Sequence, residues 1–243
     1  MAKTANYQRG VAKRLASLDW LAIAADLDVH GCAAIGPLLA PAECQALVKL
    51  YDTAELFRSR VIMARHGYGR GEYQYFDYPL PSLVGELRTG LYPPLAEIAN
   101  RWNEAMGSDV AFPSNHQAFL DRCHEAGQSK PTPLLLRYEP GDFNCLHQDL
   151  YGEHVFPLQV AILLNQSGVD FTGGEFVLTE QRPRKQSRAE VVSLDQGQGV
   201  IFPVRHRPVP SARGFSRVNM RHGVSRLKSG RRHTLGIIFH DAK

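Results

Sequence analysis

The sequence lacks long apolar runs and closely spaced cysteines. No hydrophobic stretch approaches the roughly 20 residues that a membrane-spanning helix needs, and residues 1–9 lead into charged residues instead of the apolar core of a signal peptide. We therefore expect a cytoplasmic protein with no membrane partner. The four cysteines are Cys32, Cys44, Cys123 and Cys145. Because none of them stands in a CxxC pair, we expect reduced thiols and neither a zinc site nor a disulfide framework.

Acidic residues are scarce in one part of the chain only. Residues 1–181 carry 14 Lys and Arg against 21 Asp and Glu, whereas residues 182–232 carry 13 against 2. A basic field of this kind attracts anionic partners, such as nucleic acid, an acidic protein segment or a dicarboxylate cosubstrate. A solvated basic surface that only improves solubility is the alternative.

Length and composition predict one elaborated domain. The chain has 243 residues, of which 44% are hydrophobic and 21% charged, and this balance excludes disordered and fibrous proteins. We expect a single domain over residues 1–243. A mainly helical part, residues 1–110, is expected to pack on a β-rich core, residues 111–243.

The N-terminal part has the periodicity of helices. Apolar residues at helical spacing predict one helix over residues 11–29, closed by Gly31. Proline at a first helical position predicts a second helix over residues 41–52. A third is predicted over residues 82–106, with a break or kink at Pro93-Pro94.

Two further segments differ from the helices. Residues 60–78 are rich in Arg, Gly and Tyr, which predicts a loop with a functional surface. After residue 113 the sequence changes to short β-rich runs separated by turn residues. The predicted strands cover residues 32–35, 134–138, 155–164, 175–179, 190–194, 199–203 and 234–240. Because no helical pattern separates those after residue 113, they indicate an antiparallel sandwich or barrel.

Two histidines and one aspartate in the β-rich part suggest a metal site. His147 and Asp149 are two residues apart, so on a strand their side chains point to the same face. His222 follows far downstream. Two imidazoles and one carboxylate on one face of a metal form the facial triad of non-haem Fe(II) oxygenases. The HxD spacing alone is weak evidence, because short motifs of this kind arise about half the time by chance in a chain of this size.

Longer motifs strengthen this interpretation. Residues 136–149, Leu-Arg-Tyr-Glu-Pro-Gly-Asp-Phe-Asn-Cys-Leu-His-Gln-Asp, resemble the entry to the iron site of the Fe(II)/2-oxoglutarate-dependent dioxygenases, particularly the prolyl-4-hydroxylase-like group. His222-Gly223-Val224, with Arg232 ten residues after the histidine, resembles that superfamily's distal histidine and cosubstrate arginine. The stretches Gly173-Gly174-Glu175-Phe176 and Gly197-Gln198-Gly199-Val200-Ile201-Phe202 resemble its strand signatures.

The resemblance covers about residues 134–240 and implies both a fold and a reaction. The implied fold is mainly β with N-terminal helices (α+β), built on a double-stranded β-helix, or jelly-roll, core. The implied activity is that of an oxidoreductase that uses Fe(II), O2 and the cosubstrate 2-oxoglutarate. In that family the cosubstrate is converted to succinate and CO2 while a C–H bond of the substrate is hydroxylated.

The resemblance also implies roles for individual residues. The implied iron ligands and catalytic residues are His147, Asp149 and His222. Arg232 is the implied cosubstrate residue, since its planar fork of donors matches the far carboxylate of 2-oxoglutarate. Thr234 shares the strand face of Arg232, and Tyr138 is the analogous candidate on an earlier strand.

The substrate is open between two enzymatic classes. The chain resembles a bacterial branch of the superfamily for which nucleic-acid demethylation has been proposed. Extruded bases stack on aromatic side chains, and Arg and Lys contact phosphates. The candidate substrate residues are Arg65, Tyr68, Arg70, Tyr73 and Tyr75, with Phe76 and Tyr78 as further stacking candidates. The candidate phosphate contacts are Arg182, Arg184, Lys185, Arg188, Arg205, Arg207, Arg213 and Arg217. Alternatively, the aromatics are core residues and the arginines a solvated rim.

One difference from the known base demethylases favours a substrate other than nucleic acid. The well-known alkylated-base demethylases have a longer gap before the cosubstrate arginine and a further arginine after it, which residues 234–238 lack. Hydroxylation of a protein side chain (prolyl-type) or of a small molecule is therefore the alternative. A metal-binding β-helix protein without activity is the non-enzyme alternative. The other histidines considered, His116, His154, His206 and His240, are predicted to be structural, and Cys145 is predicted to be a buried, inert thiol.

Overall fold

The computed structural model of the chain describes residues 10–150, 152–182, 184–212 and 214–243. Residues 10–16 are helical, and further helices are α1 (Trp20–His30), α2 (Pro41–Leu50), α3 (Ser82–Ala105) and α4 (His116–Glu125), with 3-10 turns at Ala54–Leu56 and Met63–Arg65. The strands are β1 (Ala33–Ile35), β2 (Phe57–Ile62), β3 (Gly69–Arg70), β4 (Glu72–Phe76), β5 (Leu134–Tyr138), β6 (Phe143–His147), β7 (Leu158–Leu163), β8 (Phe171–Gly173), β9 (Phe176–Gln181), β10 (Arg188–Val192), β11 (Gly199–Pro203), β12 (His206–Ser211), β13 (Gly214–Val224), β14 (Leu227–Gly230) and β15 (Arg232–Ile237).

Two antiparallel sheets form the core. The larger sheet has the strand order β1-β11-β7-β15-β5-β4-β2, and the smaller one has the order β10-β9-β13-β6-β3, with β12 paired to β13. The inner faces of the sheets pack together, since Ala161 and Leu163 of the larger sheet share a hydrophobic cluster with Leu178 and Met220 of the smaller one. Two facing antiparallel sheets are the architecture of a jelly roll. The predicted mainly β fold with N-terminal helices is confirmed.

The outer face of the larger sheet is covered by helices. Leu87 and Leu91 of α3 lie in one cluster with Leu235 and Ile237 of β15, and each fully buried side chain of this kind stabilises the fold by about 1.5–3 kcal/mol. All residues of β15 are buried, because the helices cover one face of the strand and the smaller sheet covers the other. Arg232, two and four residues away from Thr234 and Gly236 along β15, therefore points inward between the sheets.

Several predicted element boundaries are wrong. The helix predicted over residues 11–29 is divided, because Asp19 accepts hydrogen bonds from the backbone N–H groups of Leu21 and Ala22 and so begins a new helix. Its end at Gly31, in the left-handed conformation, is as predicted. The helix with Pro93-Pro94 is continuous from Ser82 to Ala105, so of the predicted break or kink the break is wrong.

The helix α4 (His116–Glu125) interrupts a region predicted to hold only strands. Asn115 begins it by accepting a hydrogen bond from the Ala118 backbone N–H. The loop predicted over residues 60–78 is also wrong. It contains strands β3 and β4 and the end of β2, and β4 pairs with β5. Strands β1 to β4, all within the first 110 residues, thus belong to the two core sheets.

The helices of the described residues were compared with the requirements of a membrane-spanning segment. None of its helices combines the length and the apolar character that crossing a bilayer requires. The first nine residues, on which the expected absence of a signal peptide rests, lie outside the described residues.

Candidate metal and cosubstrate site

Strand pairing brings the two histidines together. His147, the last residue of β6, is paired with His222 of β13, and their rings lie 4.2 Å apart between centroids. Asp149 follows β6 rather than belonging to it, so strand alternation does not place its side chain. Instead, the Gln148 amide donates a hydrogen bond of 2.8 Å to the Met220 carbonyl, which fixes the chain as it leaves the strand.

The Asp149 carboxylate lies between the two imidazoles. Its Oδ1 is 3.4 Å from His147 Nε2, and its Oδ2 is 3.2 Å from His222 Nε2. Burial disfavours the charged carboxylate, but the hydrogen bonds with both histidines outweigh it and hold the pKa of Asp149 well below its usual range. Among the described residues these three form the group whose ligand atoms, all within 4.8 Å of one another, are arranged to hold a metal ion.

The hydrogen bond at the far side of His147 sets its tautomer. Nδ1 lies 2.8 Å from the Cys145 carbonyl oxygen, which only accepts, so Nδ1 carries a proton and Nε2, on the side of Asp149, is the nitrogen that a metal ion would take. A ligand imidazole fixed through its other ring nitrogen is the usual arrangement at metal sites. Phe202 packs against the His222 ring at 4.7 Å and shields it.

One pocket of about 350 Å³ connects this triad with the inner face of the larger sheet. Strand register organises its floor, since Arg232 is paired with Tyr138, Thr234 with Leu136 and Gly236 with Leu134. On the next strand, Tyr73 is paired with Leu136 and Tyr75 with Leu134. The lining residues include two groups of different chemistry, which we call the two ends of the pocket. The arginine end comprises Arg232, Thr234 and Tyr138, and the tyrosine end comprises Tyr68, Tyr73 and Tyr75.

The arginine end contains buried donors without partners. Arg232 is 3% exposed, and its Nη1 donates to Thr234 Oγ1 at 2.6 Å, but its Nε has no hydrogen-bond partner. Its Cζ lies 5.6 Å from the centre of the Tyr138 ring, and the Tyr138 hydroxyl is likewise buried without a partner. Burial lowers the pKa of Arg232 from its ordinary value. An unsatisfied buried cation is costly, so this end fits a small anion such as a carboxylate.

Gly174, the second residue of the Gly-Gly motif that precedes β9, occupies a position where only glycine fits. Its φ of 67° lies in the left-handed region, and a Cβ added there would lie 2.8 Å from Leu227 Cδ1 and 3.0 Å from Arg232 Cδ. Glycine is required on both grounds. The motif therefore leaves room for the Arg232 side chain.

The tyrosine end opens to solvent. Tyr73 and Tyr75 meet edge to face at 5.4 Å, and Tyr68, which is 50% exposed, stacks on His66 at 5.3 Å. The other two candidates for substrate contact, Arg65 and Arg70, are exposed on either side of Tyr68 in sequence but are not among the lining residues. Arg70 lies 3.9 Å from Asp142.

Two stacking candidates, Phe76 and Tyr78, make structural contacts, as the alternative for the aromatics expected, and the prediction of a buried Cys145 is wrong. Phe76 is fully buried and stacks on Phe57 at 4.7 Å, because it points to the opposite face of β4 from Tyr75. The Tyr78 hydroxyl donates to Asp241 and accepts from Arg88, so Tyr78 belongs to a structural ion-pair network. Cys145 is exposed and not buried.

The candidate phosphate contacts differ in burial and in their partners. Arg207 is 1% exposed and bonds to Glu180 and to the Asp28 carbonyl, so it is a structural residue and not a phosphate contact. Arg182 also pairs with Glu180. Arg217 is exposed on β13, and Arg213 lies outside the described residues. The remaining four, Arg184, Lys185, Arg188 and Arg205, are exposed.

The outward residues of β13 face away from the triad. Val218, Met220 and His222 are buried, whereas Arg217 and Arg221 alternate with them on the exposed face. The basic charge of this strand therefore lies behind the site and not at its mouth.

Sequence reasoning missed Gln159 and Asn144, both of which line the pocket. Gln159 is the single polar residue in the strand Leu-Gln-Val-Ala-Ile-Leu, a signal that was present in the sequence. Asn144 had no comparable signal. The histidines predicted to be structural, His116, His154, His206 and His240, are not among the lining residues.

A family model matches residues 71–242, more than two thirds of the chain. Its description is an oxygenase catalysing oxidative methylation of damaged DNA. The chain belongs to this oxygenase family. The resemblance drawn from the sequence motifs is confirmed, and the protein is an oxidoreductase.

Two relatives share much of this sequence. The oxygenase is 48% identical over 167 residues to two uncharacterized proteins of Mycobacterium tuberculosis, MT2286 of strain CDC 1551 / Oshkosh and Rv2227 of strain ATCC 25618 / H37Rv. The match covers 69% of this chain and 72% of each relative.

Its fold is similar to that of a Pseudomonas putida prolyl-4-hydroxylase, with a TM-score of 0.52, 16% identity, and coverage of 92% of this chain and 100% of that one. A Trichoplax adhaerens prolyl hydroxylase, solved with a hypoxia inducible factor peptide fragment, gives a TM-score of 0.55 at 14% identity, covering 91% and 89%. At these identities the likeness concerns the fold, and it confirms the double-stranded β-helix core.

Proposed function

We propose that the oxygenase binds Fe(II) through His147, Asp149 and His222, binds 2-oxoglutarate through Arg232, and uses O2 to hydroxylate a C–H bond. The observation that carries this proposal is the buried Arg232, with a donor left unpartnered, in the same pocket as a three-residue metal-ligand group. Two neutral imidazoles and one carboxylate suit Fe(II) and leave positions for a chelating 2-oxo acid and O2.

The chain's own residues position the reactants. The guanidinium of Arg232, steadied by Thr234 Oγ1, would receive the far carboxylate of 2-oxoglutarate, and the Tyr138 hydroxyl would donate to the same group. When bound, Fe(II) and 2-oxoglutarate activate O2, so that one oxygen atom enters succinate and the other enters the substrate. Phe176 and Phe202 form an apolar wall next to His222, which limits the access of water.

For the substrate we propose an N-alkylated nucleic-acid base, which would enter through the tyrosine end. Three observations support this choice: the family description names damaged DNA, three tyrosines line one end of the pocket, and Arg65 and Arg70 flank Tyr68 on the surface. Aromatic rings bind an extruded base by stacking, and arginines contact its phosphates. Hydroxylation of the N-methyl carbon gives a hemiaminal, which loses formaldehyde and leaves the unmodified base.

Hydroxylation of a protein side chain is the alternative, favoured by the ten-residue spacing from His222 to Arg232. It would use the same metal and cosubstrate but a peptide in the tyrosine end. The product distinguishes the two classes, because peptide hydroxylation releases no formaldehyde.

A turnover assay tests the proposal. The protein is incubated with Fe(II), 2-oxoglutarate and O2, together with N-methylated single-stranded DNA or RNA, proline-containing peptides or free amino acids, and succinate and formaldehyde are measured. We expect equal amounts of both products with a methylated oligonucleotide, and far less of both in Arg232→Met at the same 2-oxoglutarate concentration. If hydroxylated peptide forms and no oligonucleotide yields formaldehyde, the nucleic-acid substrate is wrong and the protein side chain is the substrate.

A further inference from the structure

The segment between Asp149 and β7 contributes to the edge of the pocket. Leu150, the residue after Asp149, lines the pocket and is 46% exposed. It therefore lies where the pocket meets solvent. Near the other end of the segment, Phe156 is fully buried, and its backbone N–H donates to His240 Nδ1 at 3.2 Å. The segment is thus attached to the protein before it enters β7.

A buried glutamine from another part of the chain holds the middle of this segment. Gln128, which follows α4, is fully buried. Its Oε1 accepts hydrogen bonds of 2.8 Å from the backbone N–H groups of Glu153 and His154. Its Nε2 donates to the His154 carbonyl at 3.1 Å and to the Asp241 carbonyl at 2.6 Å. These four bonds match the two lone pairs and the two hydrogens of an amide, so the side chain joins the segment to the C-terminal residues.

Gly152 brings the segment into direct contact with this glutamine. Its φ of 84° lies in the left-handed region, and a Cβ added there would lie 2.4 Å from Gln128 Cδ. Glycine is therefore required for the backbone to reach the amide. Leu150 is only two residues before Gly152, and two residues of chain span at most about 7 Å. The position of Leu150 is thus limited by Asp149 on one side and by the contact with Gln128 on the other.

We infer that Gln128 is a positioning residue that fixes Leu150 as a preformed wall at the mouth of the pocket. A preformed wall differs from a lid, whose contacts form only when a ligand binds. The functional consequence rests on the proposed function. A substrate that enters the pocket meets Leu150 in its final position, so that this part of the chain does not have to be ordered on binding.

Hydrogen–deuterium exchange of the full-length protein tests the preformed wall. We expect the backbone N–H groups of Glu153 and His154 to exchange slowly in the protein alone and to keep the same rates when Co(II) and 2-oxoglutarate are added. Gln128→Met keeps the bulk of the side chain and removes the four bonds, so both groups should exchange about 10-fold faster or more. Gly152→Ala disturbs the same contact from the side of the segment and should have the same effect.

Gln74→Met and Gly168→Ala are the matched controls. Gln74 is a buried glutamine whose amide donates to the Tyr51 carbonyl at 2.7 Å, away from the pocket. Gly168 has a similar φ of 79°, but a Cβ added there meets no described atom within 4 Å. We expect both variants to lose stability and to leave the exchange of Glu153 and His154 at the wild-type rates.

Turnover supplies a functional readout that a loss of stability alone would not produce. Ordering a mobile side chain on binding weakens affinity by about 2- to 10-fold. With an N-methylated single-stranded oligonucleotide, Gln128→Met and Gly152→Ala should raise the KM for the oligonucleotide by this factor. The kcat and the KM for 2-oxoglutarate should stay near the wild-type values.

The outcomes separate the inference from the proposed function. Unchanged exchange in folded Gln128→Met and Gly152→Ala would overturn the role of Gln128. Exchange in the wild type that is fast until Co(II) and 2-oxoglutarate are added would show that the segment is a lid, which also overturns the inference. Equal rises in the two KM values would contradict an effect confined to the mouth. A wild-type protein that releases no formaldehyde would overturn the proposed substrate, and the exchange rates would then decide on the role of Gln128.

Discussion

The arginine end of the pocket is built on β15 and β5 and the tyrosine end on β4 and the residue before β3, and the two ends offer opposite chemistry. Arg232 and Tyr138 are buried, and each retains a polar atom without a partner. Tyr73 and Tyr75 present aromatic rings, and Tyr68 is half exposed. The first end fits a small anion of fixed shape, and the second fits a flat group that enters from solvent. Under the proposed function, we therefore expect cosubstrate and substrate to bind to different parts of the pocket.

The largest effect is expected at the arginine end. Arg232→Met removes the buried cation there, and truncating one partner of a buried charge pair costs roughly 2–5 kcal/mol. We therefore expect the KM for 2-oxoglutarate to rise by about 100-fold or more, with substrate binding almost unchanged. Steady-state succinate formation measures this. Arg231→Met is the control, since Arg231 is exposed and pairs with Glu139 on the surface. Equal effects of both substitutions would contradict a dedicated cosubstrate arginine.

Acid is expected to lower the free energy of unfolding through a histidine of β15, the strand that carries Arg232. His233, next to Arg232, is 4% exposed, and burial, followed by Arg137 and Arg231, lowers its pKa to about 4. The unfolded chain binds this proton more readily than the folded one. The stabilisation is therefore complete above about pH 6.5 and is lost as the pH falls toward 4, at most on the order of 3 kcal/mol.

Urea unfolding between pH 4 and 7 measures this dependence. His233→Gln should have a shallower loss of unfolding free energy than the wild type. His116 should retain its own contribution, since burial and the nearby Arg88 lower its pKa to about 4 as well. Parallel pH curves for His233→Gln and wild type would show that His233 does not titrate as described.

The tyrosine end should respond with a smaller and selective effect. Stacking of a base on an aromatic side chain contributes about 1–3 kcal/mol, so Tyr68→Ala should raise the KM for a methylated oligonucleotide about 10-fold and leave the KM for 2-oxoglutarate unchanged. Phe215→Ala is the control, because Phe215 is similarly exposed but lies on β13. A larger rise in the KM for 2-oxoglutarate than in the KM for the oligonucleotide would contradict separate binding of cosubstrate and substrate.

Surface arginines should give the smallest effect. If the nucleic acid enters past Tyr68, neutralising Arg65 and Arg70 should lower the salt dependence of binding by about one unit of slope for each phosphate that the protein no longer neutralises. Neutralising Arg217 and Arg221, which lie on the face of β13 away from the triad, should leave the slope almost unchanged. Fluorescence anisotropy at several salt concentrations measures both slopes. A larger change of slope on neutralising Arg217 and Arg221 would instead indicate that nucleic acid binds to the outer face of the smaller sheet.

The fold and the three candidate metal ligands could be predicted from the sequence, because strand patterns are local and the histidine and aspartate motifs have a recognisable spacing. Short strands with turn residues predicted the sheets, and His147, Asp149 and His222 are close in space because β6 pairs with β13. Asp149 lies beside the two histidines as expected, but strand alternation does not place it there, because the residue follows the end of β6 in an irregular segment that Gln148 holds through its hydrogen bond to Met220.

Other features depend on contacts that no local pattern reveals. In residues 60–78 both faces of β4 are occupied, Tyr73 and Tyr75 facing the pocket and Phe76 the helix layer. This hides the alternation that normally identifies a strand. The burial of Arg207 depends on Glu180 and on the carbonyls at the end of α1. The composition of the basic segment gave no sign of either partner.

One spectrum tests the central claim, that His147, Asp149 and His222 hold Fe(II) next to a 2-oxoglutarate site at Arg232. Under anaerobic conditions, wild-type protein with Fe(II) and 2-oxoglutarate should develop a weak visible charge-transfer band. The band should be absent in His147→Ala and retained in Arg231→Met, and it should require far more 2-oxoglutarate in Arg232→Met. A folded wild-type protein that binds Fe(II) but develops no band with 2-oxoglutarate would contradict the account.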